Sequence, residues 1–236
     1  MKQIIFYLLI AVFLPTASNA QAGNAQTGNA PKDAQVDVTI SDAKSGNILN
    51  NEIVVFRSSA NRREYQGLSD SLGKFTLRLP TGAKYEIFIL GFQDSIVYNV
   101  LDIPALKENQ FVKNPIKIAI QFEAPKSFVL DNCTFETGKA ALKEEAFAVL
   151  DELVEFLKRK EDDKIELGGH TDNVGKADAN MILSANRANA VMAYLLSKGI
   201  SPERVTARGY GFTMPIEENN TPEGRSMNRR TEVKIL

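Results

Sequence analysis

Three polar residues on one predicted helix are the most informative feature of this chain. Asn180, Ser184 and Arg187 recur at helical spacing inside an apolar stripe that includes Leu183 and Val191. A helix does not turn hydrogen-bonding side chains toward its own core unless partners are there to receive them. The inner face of this helix is therefore polar in its first two turns and apolar in its last two, a pattern typical of a binding site built over a core.

The loop before this helix supplies the opposite charge. Asp172 follows a predicted strand over residues 164–170. Helical side chains lean toward the helix N-terminus, so Arg187 reaches back toward Asn180 and this loop. A carboxylate and a guanidinium at the carboxyl end of a strand suit the ammonium and the carboxylate of a zwitterion. The alternative is that Asp172 and Arg187 simply pair with each other.

The elements that position these residues follow the order β-α-β-α-β-β. The pattern predicts strands at about residues 128–130, 164–170, 204–209 and 230–236. A first helix has apolar positions from Leu142 to Leu157, and a second helix runs from an N-cap at Asp178 to about residue 198. A long loop containing Pro215 and Pro222 joins the last two strands. Helices that alternate with strands predict an α/β sandwich with a mixed sheet and two helices.

This half of the chain, from about Phe128 to Leu236, resembles the OmpA-like peptidoglycan-binding domain. The matching residues are Gly169-His-Thr-Asp172, Asn180, Leu183-Ser184, Arg187-Ala188, Val191, Tyr194-Leu195, Gly199-Ile200, Arg204-Val205, Gly209-Tyr-Gly211, Pro215 and Gly224-Arg-Ser-Met-Asn-Arg-Arg230. In that family an aspartate and a helix arginine bind diaminopimelate of the stem peptide. The resemblance implies that Asp172 and Arg187 play these parts here.

The resemblance extends the expected ligand site to four further residues. Thr171 lies within the Gly-His-Thr-Asp motif, Asn180 lies beside the pair, and Arg229 is the expected helper from the basic cluster. Glu136 departs from the family pattern, which often places Asp after the aromatic residue that is Phe135 here. We nevertheless retain Glu136 as a ligand candidate.

The first half of the chain has a different pattern. Short alternating apolar runs begin at about residue 36 and continue to residue 120, with turn signals such as Ser45-Gly46-Asn47 between them. They predict an antiparallel β-sandwich. The Asp-x-x-Gly-x-Phe turn at residues 70–75 and the Leu-Pro-x-Gly-x-x-Tyr hairpin at residues 79–85 resemble the carboxypeptidase regulatory-like (prealbumin-type) domain.

The chain begins with a pattern typical of export. Eleven apolar residues, Ile4 to Leu14, precede a small-x-small site at Ser18-Asn19-Ala20. This predicts a signal peptide at residues 1–20, without a lipid-attachment cysteine after it. We therefore expect five segments: the signal peptide, a flexible leader (21–34), the β-sandwich (35–123), a linker (124–127) and the OmpA-like domain (128–236).

Composition and side-chain chemistry exclude several classes of function. The formal net charge of -1 argues against a nucleic-acid surface. The chain has one histidine, His170, and one cysteine, Cys133, which are too few for a metal site of recognised spacing. Gly168 and Gly169 are interpreted as letting a ligand approach the backbone rather than as a phosphate loop. We expect no cofactor.

The resemblance, together with the predicted export signal, implies a periplasmic protein that binds peptidoglycan without cleaving it. It would be held peripherally at the wall or outer membrane, with no transmembrane span in the mature chain. The β-sandwich would serve as a spacer or contact an envelope protein. The alternative is a cell-wall hydrolase in which Cys133 is the nucleophile and His170 the base.

Overall fold

The computed structural model describes residues 18–19, 32–92, 97–108 and 110–236. The chain divides into two compact units, with the boundary between Ala124 and Pro125. Most of the predicted signal peptide (1–20) and of the predicted leader (21–34) lies outside the described residues.

The first unit consists of β-strands. They are β1 (Ser18–Asn19), β2 (Asp33–Asp42), β3 (Ile53–Ser58), β4 (Glu64–Leu68), β5 (Lys74–Pro80), β6 (Ala83–Leu90), β7 (Val97–Ile103), β8 (Gln110–Phe111) and β9 (Ile116–Phe122). A sheet of order β5-β2-β9 and a sheet of order β4-β3-β6-β7 each contribute side chains to one apolar core, and β1 pairs with β8. The core forms because alternate residues of each strand are apolar, as in β2, where residues 34, 36, 38 and 40 are buried.

Three details of this unit differ from the sequence-based expectation. Strand β2 begins at Asp33, inside the predicted leader, because Ala34 is already fully buried in the core. Strand β4 was not predicted, since as a half-exposed edge strand it lacks a marked apolar pattern. Strands β2 and β9 pair in parallel, whereas the prediction was antiparallel throughout, because alternation does not encode strand direction.

The second unit is a four-stranded sheet with helices. Its elements are β10 (Ser127–Val129), α1 (Ala146–Arg159), β11 (Ile165–His170), α2 (Ala177–Ser197), a 3-10 turn (Pro202–Arg204), β12 (Val205–Gly211), α3 (Pro222–Asn228) and β13 (Thr231–Ile235). The strand order is β10-β13-β11-β12. Strands β11 and β12 are parallel and the other pairs antiparallel, which confirms the predicted mixed sheet.

The helices differ from the prediction at their ends and in number. Helix α2 begins at Ala177, after Lys176 in extended conformation, so Asp178 lies in the first turn, where it suits the helix dipole, rather than at the cap. Leu142 precedes α1 and forms an isolated bridge with Phe135. Helix α3 was predicted as loop, although Thr221 caps it by accepting from the Gly224 N–H at 3.0 Å.

Two glycines allow α2 to pack closely on the sheet. A Cβ atom at Gly169 would lie 2.1 Å from the Ser184 carbonyl oxygen, and one at Gly209 would lie 2.5 Å from the Ala185 nitrogen. At Gly168 a Cβ would meet the Tyr210 ring at 3.1 Å. The interpretation that Gly168 and Gly169 admit a ligand was therefore wrong: the space belongs to the helix and to an aromatic ring.

Candidate functional site

The candidate site lies in the loop that follows β11. The side chain of Asp172 is 14% exposed, and its Oδ2 accepts a hydrogen bond from Arg229 Nη1 at 2.7 Å. Its Oδ1 accepts from the Val174 N–H at 3.1 Å. The structure thus pairs Asp172 with Arg229, and the simple Asp172–Arg187 pair considered from the sequence is not formed.

Asn180 and Ser184 show why the inner face of α2 is polar. The Asn180 amide, 7% exposed, donates to the carbonyl oxygens of Val174 at 2.9 Å and of Asp172 at 3.4 Å. The Ser184 hydroxyl accepts from the Gly211 N–H at 2.9 Å. Both side chains therefore satisfy backbone groups: Ser184 holds the end of β12, and Asn180 fixes the loop that presents Asp172.

Arg187 is half-buried and is held on one side only. Its Nε donates to the Lys139 carbonyl at 3.1 Å, and its guanidinium carbon lies 5.1 Å from the centre of the Phe135 ring. Burial and the positive charge of Arg229 lower the pKa of Arg187, while Asp172 opposes this shift. Among the described residues no carboxylate forms an ion pair with Arg187. Its terminal N–H groups are thus available to an anion.

Glu136 and Thr171 are placed less favourably for ligand contact. Glu136 is exposed and forms an ion pair with Lys139 at 2.6 Å, so it shares a loop with the partners of Arg187. Thr171 is 4% exposed; its N–H donates to the Gly211 carbonyl at 2.8 Å, and its hydroxyl is shielded from solvent. The structure brings Asp172, Arg187 and Arg229 near one another, and Asn180 donates to the Asp172 carbonyl.

Two arginines and one carboxylate give the site an excess of one positive charge. Such a site attracts a ligand that carries a carboxylate, and a planar guanidinium can bind that carboxylate through two parallel hydrogen bonds. The half-buried position of Arg187 strengthens such a contact, because less water competes for it.

Sequence reasoning missed the residues that hold the arginines. Phe135 and the Lys139 carbonyl lie about 50 positions before Arg187 in the chain, a separation that no local pattern bridges. The buried Asn228 beside Arg229 was likewise overlooked. The Thr-Pro-Glu sequence at residues 221–223 was an available signal of a helix start, and would have placed Asn228 at a helix end.

His170 and Cys133 have separate environments. His170 is 3% exposed and stacks on Tyr210, with ring centres 5.1 Å apart, and its Nε2 lies 3.5 Å from Glu232. Burial and nearby Arg230 lower the pKa of His170 to about 4. Burial raises the pKa of the Cys133 thiol to about 11, and the neighbouring Thr231 opposes this shift. At neutral pH the thiol is therefore protonated.

The described residues also bear on metal binding and on membrane crossing. They contain no group of three or more His, Cys, Asp or Glu side chains that could share a metal ion. Within the same residues, no helix combines the length and the apolar character needed to cross a membrane.

Known proteins share the second unit. Residues 134–229 match the model of the OmpA family. Outer membrane protein A of Bordetella avium is 35% identical over 57% of this chain and 66% of its own length. The peptidoglycan-binding protein ArfA of Mycobacterium tuberculosis is 36% identical over 43% of this chain and 31% of its own. A putative MotB like protein from Desulfovibrio vulgaris aligns at 33% identity with a TM-score of 0.43, over 46% of this chain and 71% of that chain.

The chain therefore carries an OmpA family domain at residues 134–229, as the sequence motifs predicted. It spans less than two thirds of the length of the two curated relatives described here, 66% and 31%. The similarity to them covers only part of each protein.

Proposed function

We propose that this protein binds cell-wall peptidoglycan, and that it does so without catalysis. The observation that carries the proposal is the half-buried Arg187, which has no carboxylate partner among the described residues and lies near Asp172 and Arg229. A buried cation without a counter-charge is costly, so such an arrangement favours a ligand that brings its own anion.

The relatives support the choice of peptidoglycan. An OmpA family domain is shared with a protein named for peptidoglycan binding, ArfA, and with an outer membrane protein. Those names describe the relatives, and the transfer to this chain rests on the residues that coincide with the family motif.

We propose diaminopimelate of the stem peptide as the group recognised. Its free end carries both an ammonium and a carboxylate. The carboxylate would bind the terminal N–H groups of Arg187, and the ammonium would bind Asp172. Because Arg229 already contacts Asp172 at 2.7 Å, the ammonium shares that carboxylate with Arg229 or displaces it. Asn180 acts by holding the Asp172 loop, while Thr171 and Glu136 have minor parts.

The hydrolase alternative is disfavoured by the state of its two residues. A cysteine nucleophile reacts as the thiolate, and burial raises the pKa of Cys133 to about 11. A base must accept a proton near neutral pH, and the pKa of His170 is lowered to about 4. His170 also packs against the ring of Tyr210, with ring centres 5.1 Å apart, rather than toward a thiol.

In the cell we propose a periplasmic protein that links the wall to the outer membrane or to an envelope partner. The predicted export signal and the peptidoglycan site support this location. The β-stranded unit would then act as the spacer or as the surface for the partner, and its resemblance to the carboxypeptidase regulatory-like domain stays a prediction.

The test is co-sedimentation with purified sacculi of the diaminopimelate type. We expect the protein to pellet with the sacculi and to release no soluble muropeptides. Sacculi whose stem peptides carry lysine instead serve as the control and should retain less protein. Release of muropeptides that disappears in Cys133→Ala would overturn the proposal in favour of the hydrolase.

A further inference from the structure

Asn228, the last residue of α3, has an unusually complete set of hydrogen bonds. It is fully buried, and its Oδ1 accepts from the N–H groups of Ile216 at 2.8 Å and Glu217 at 3.1 Å. Its Nδ2 donates to the Glu217 carbonyl at 2.7 Å and to Asn219 Oδ1 at 3.0 Å. An amide side chain is needed here, because this position must accept two hydrogen bonds and donate two others at the same time.

The same network continues to the binding loop. Asn219 Oδ1 accepts a second hydrogen bond, from the N–H of Asn173 at 3.3 Å. We call Asn228, Asn219 and Asn173 the amide relay. Arg229 directly follows the first member of the relay, and Asp172 directly precedes the last. The two charged residues are therefore joined twice, once by their ion pair and once through the relay.

These two links differ in how firmly they hold. The side chain of Arg229 is 45% exposed, and exposed ion pairs contribute little to the geometry that they join. The relay begins at a side chain with no solvent exposure, where hydrogen bonds are stronger and costly to lose, and its last bond, from the Asn173 N–H to Asn219 Oδ1, is exposed and 3.3 Å long. The buried end of the relay is thus suited to hold Asn219, and through it the Asp172 loop, at a fixed distance from Arg229.

We propose that Asn228 is a positioning residue of the peptidoglycan site: through Asn219 it holds Arg229 and the Asp172 loop in the arrangement that receives the ligand. This inference rests on the proposed function. If these groups are already fixed before binding, less conformational entropy is lost when the ligand binds, and the affinity is higher.

The test is a double-mutant cycle with a soluble disaccharide-tripeptide that contains meso-diaminopimelate, titrated calorimetrically into the full-length protein. We expect Asn228→Ala to weaken binding about tenfold, within the range of coupled contacts. In the Arg229→Ala background the same change should cost clearly less than tenfold, because only the Asp172 loop is then left to be positioned. Asn220→Ala is the matched control, an exposed amide in the same loop, and should leave binding unchanged.

A second measurement needs no ligand. Asn228→Ala should accelerate hydrogen exchange at the Asn173 N–H and leave exchange in α1 and β11 unchanged, since the relay ends at Asn173. If Asn228→Ala does not fold, Asn219→Ala takes its place, because it cuts the relay and leaves the other three bonds of Asn228 intact.

The outcomes separate the two proposals. Equal losses of affinity with and without Arg229, or faster exchange throughout the second unit, would show that Asn228 only stabilises the fold, and would overturn the inference. If the unsubstituted protein binds no muropeptide, the proposed function fails. The exchange at Asn173 then decides alone whether the relay holds the loop, and unchanged exchange there refutes it.

Discussion

The two units of the chain bury different kinds of side chain. Among the described residues, the buried polar groups of the first unit are Glu52, Ser58 and Ser69, against a large apolar core. Those of the second unit are His170, Thr171, Asn180, Ser184, Asn228 and Thr231. Buried polar groups need hydrogen-bond partners, and in the second unit Asn180, Ser184 and Asn228 find theirs on the backbone.

This comparison teaches where stability and recognition reside. The apolar core of the first unit contributes stability through burial alone. In the second unit, Asn180 and Asn228 satisfy backbone groups of loops that carry or adjoin the charged residues of the site, and Ser184 accepts from Gly211 at the end of β12. Substitutions in the two units should therefore have opposite consequences for folding and for binding.

The largest expected effect is on the stability of the first unit. Phe56 is fully buried in the apolar core, so Phe56→Ala should destabilise that unit by about 3–5 kcal/mol. Muropeptide affinity should stay within about twofold of the unsubstituted protein. Urea denaturation followed by hydrogen-exchange mass spectrometry reports each unit separately. A loss of affinity while the second unit remains folded would show that the first unit takes part in recognition.

A second difference between the units is their response to acid. The only histidine of the chain, His170, has a pKa of about 4 in the fold against 6.5 when free, because burial disfavours its charged form. Between these values the unfolded chain binds more protons, so stability falls as the pH falls from 6.5 toward 4. Because one proton is involved, the free energy of unfolding changes by at most about 1.4 kcal/mol per pH unit.

The measurement is the free energy of unfolding of the second unit as a function of pH, in the protein and in His170→Gln. The glutamine does not titrate, so the difference between the two curves isolates the histidine from the carboxylates. We expect the difference to shrink as the medium becomes more acidic. A constant difference would contradict the buried, neutral state of His170.

The third prediction concerns affinity. Arg187→Ala removes a half-buried, charge-assisted contact, and bonds to charged groups contribute roughly 1.5–3 kcal/mol each, so muropeptide binding should fall at least tenfold. Arg208→Ala is the matched control, because Arg208 also stacks on an aromatic ring of the same unit, 5.0 Å from the centre of Tyr210. Calorimetric titration should show near-normal affinity for this control.

Asp172→Asn should weaken binding comparably to Arg187→Ala, because it keeps the shape of the side chain and removes the counter-charge of the ammonium. Both variants should remain folded, with thermal unfolding midpoints close to that of the unsubstituted protein. Should both variants unfold at the assay temperature, the two residues would be structural and the site assignment wrong.

The sequence predicted the charged residues of the site better than their supports. Asn180 and Ser184 stood out because polar residues interrupted an apolar stripe, and both are buried as that pattern required. The pairing of Asp172 with Arg229 was not predicted, because residues 57 positions apart meet only through the folded sheet. The parallel pairing of β2 with β9 was not predicted for the same reason. The periodicity of a strand indicates which face is buried, but not which strand lies next to it.

The smallest expected effect is that of Glu136→Gln on affinity, which tests whether Glu136 contacts the ligand as the family pattern suggests. Glu136→Gln removes one exposed charge and its ion pair with Lys139. It leaves the backbone bonds of the loop in place, from the Glu136 N–H to the Ala141 carbonyl at 2.9 Å and from the Lys139 N–H to the Glu136 carbonyl at 3.0 Å. The Lys139 carbonyl that holds Arg187 therefore keeps its position, and exposed ion pairs contribute little, so affinity should change less than about twofold.

Calorimetry with the same muropeptide provides the measurement. A loss of more than about threefold would mean that the Glu136 carboxylate contacts the ligand despite its extra methylene, and the site would then extend onto the loop that precedes α1.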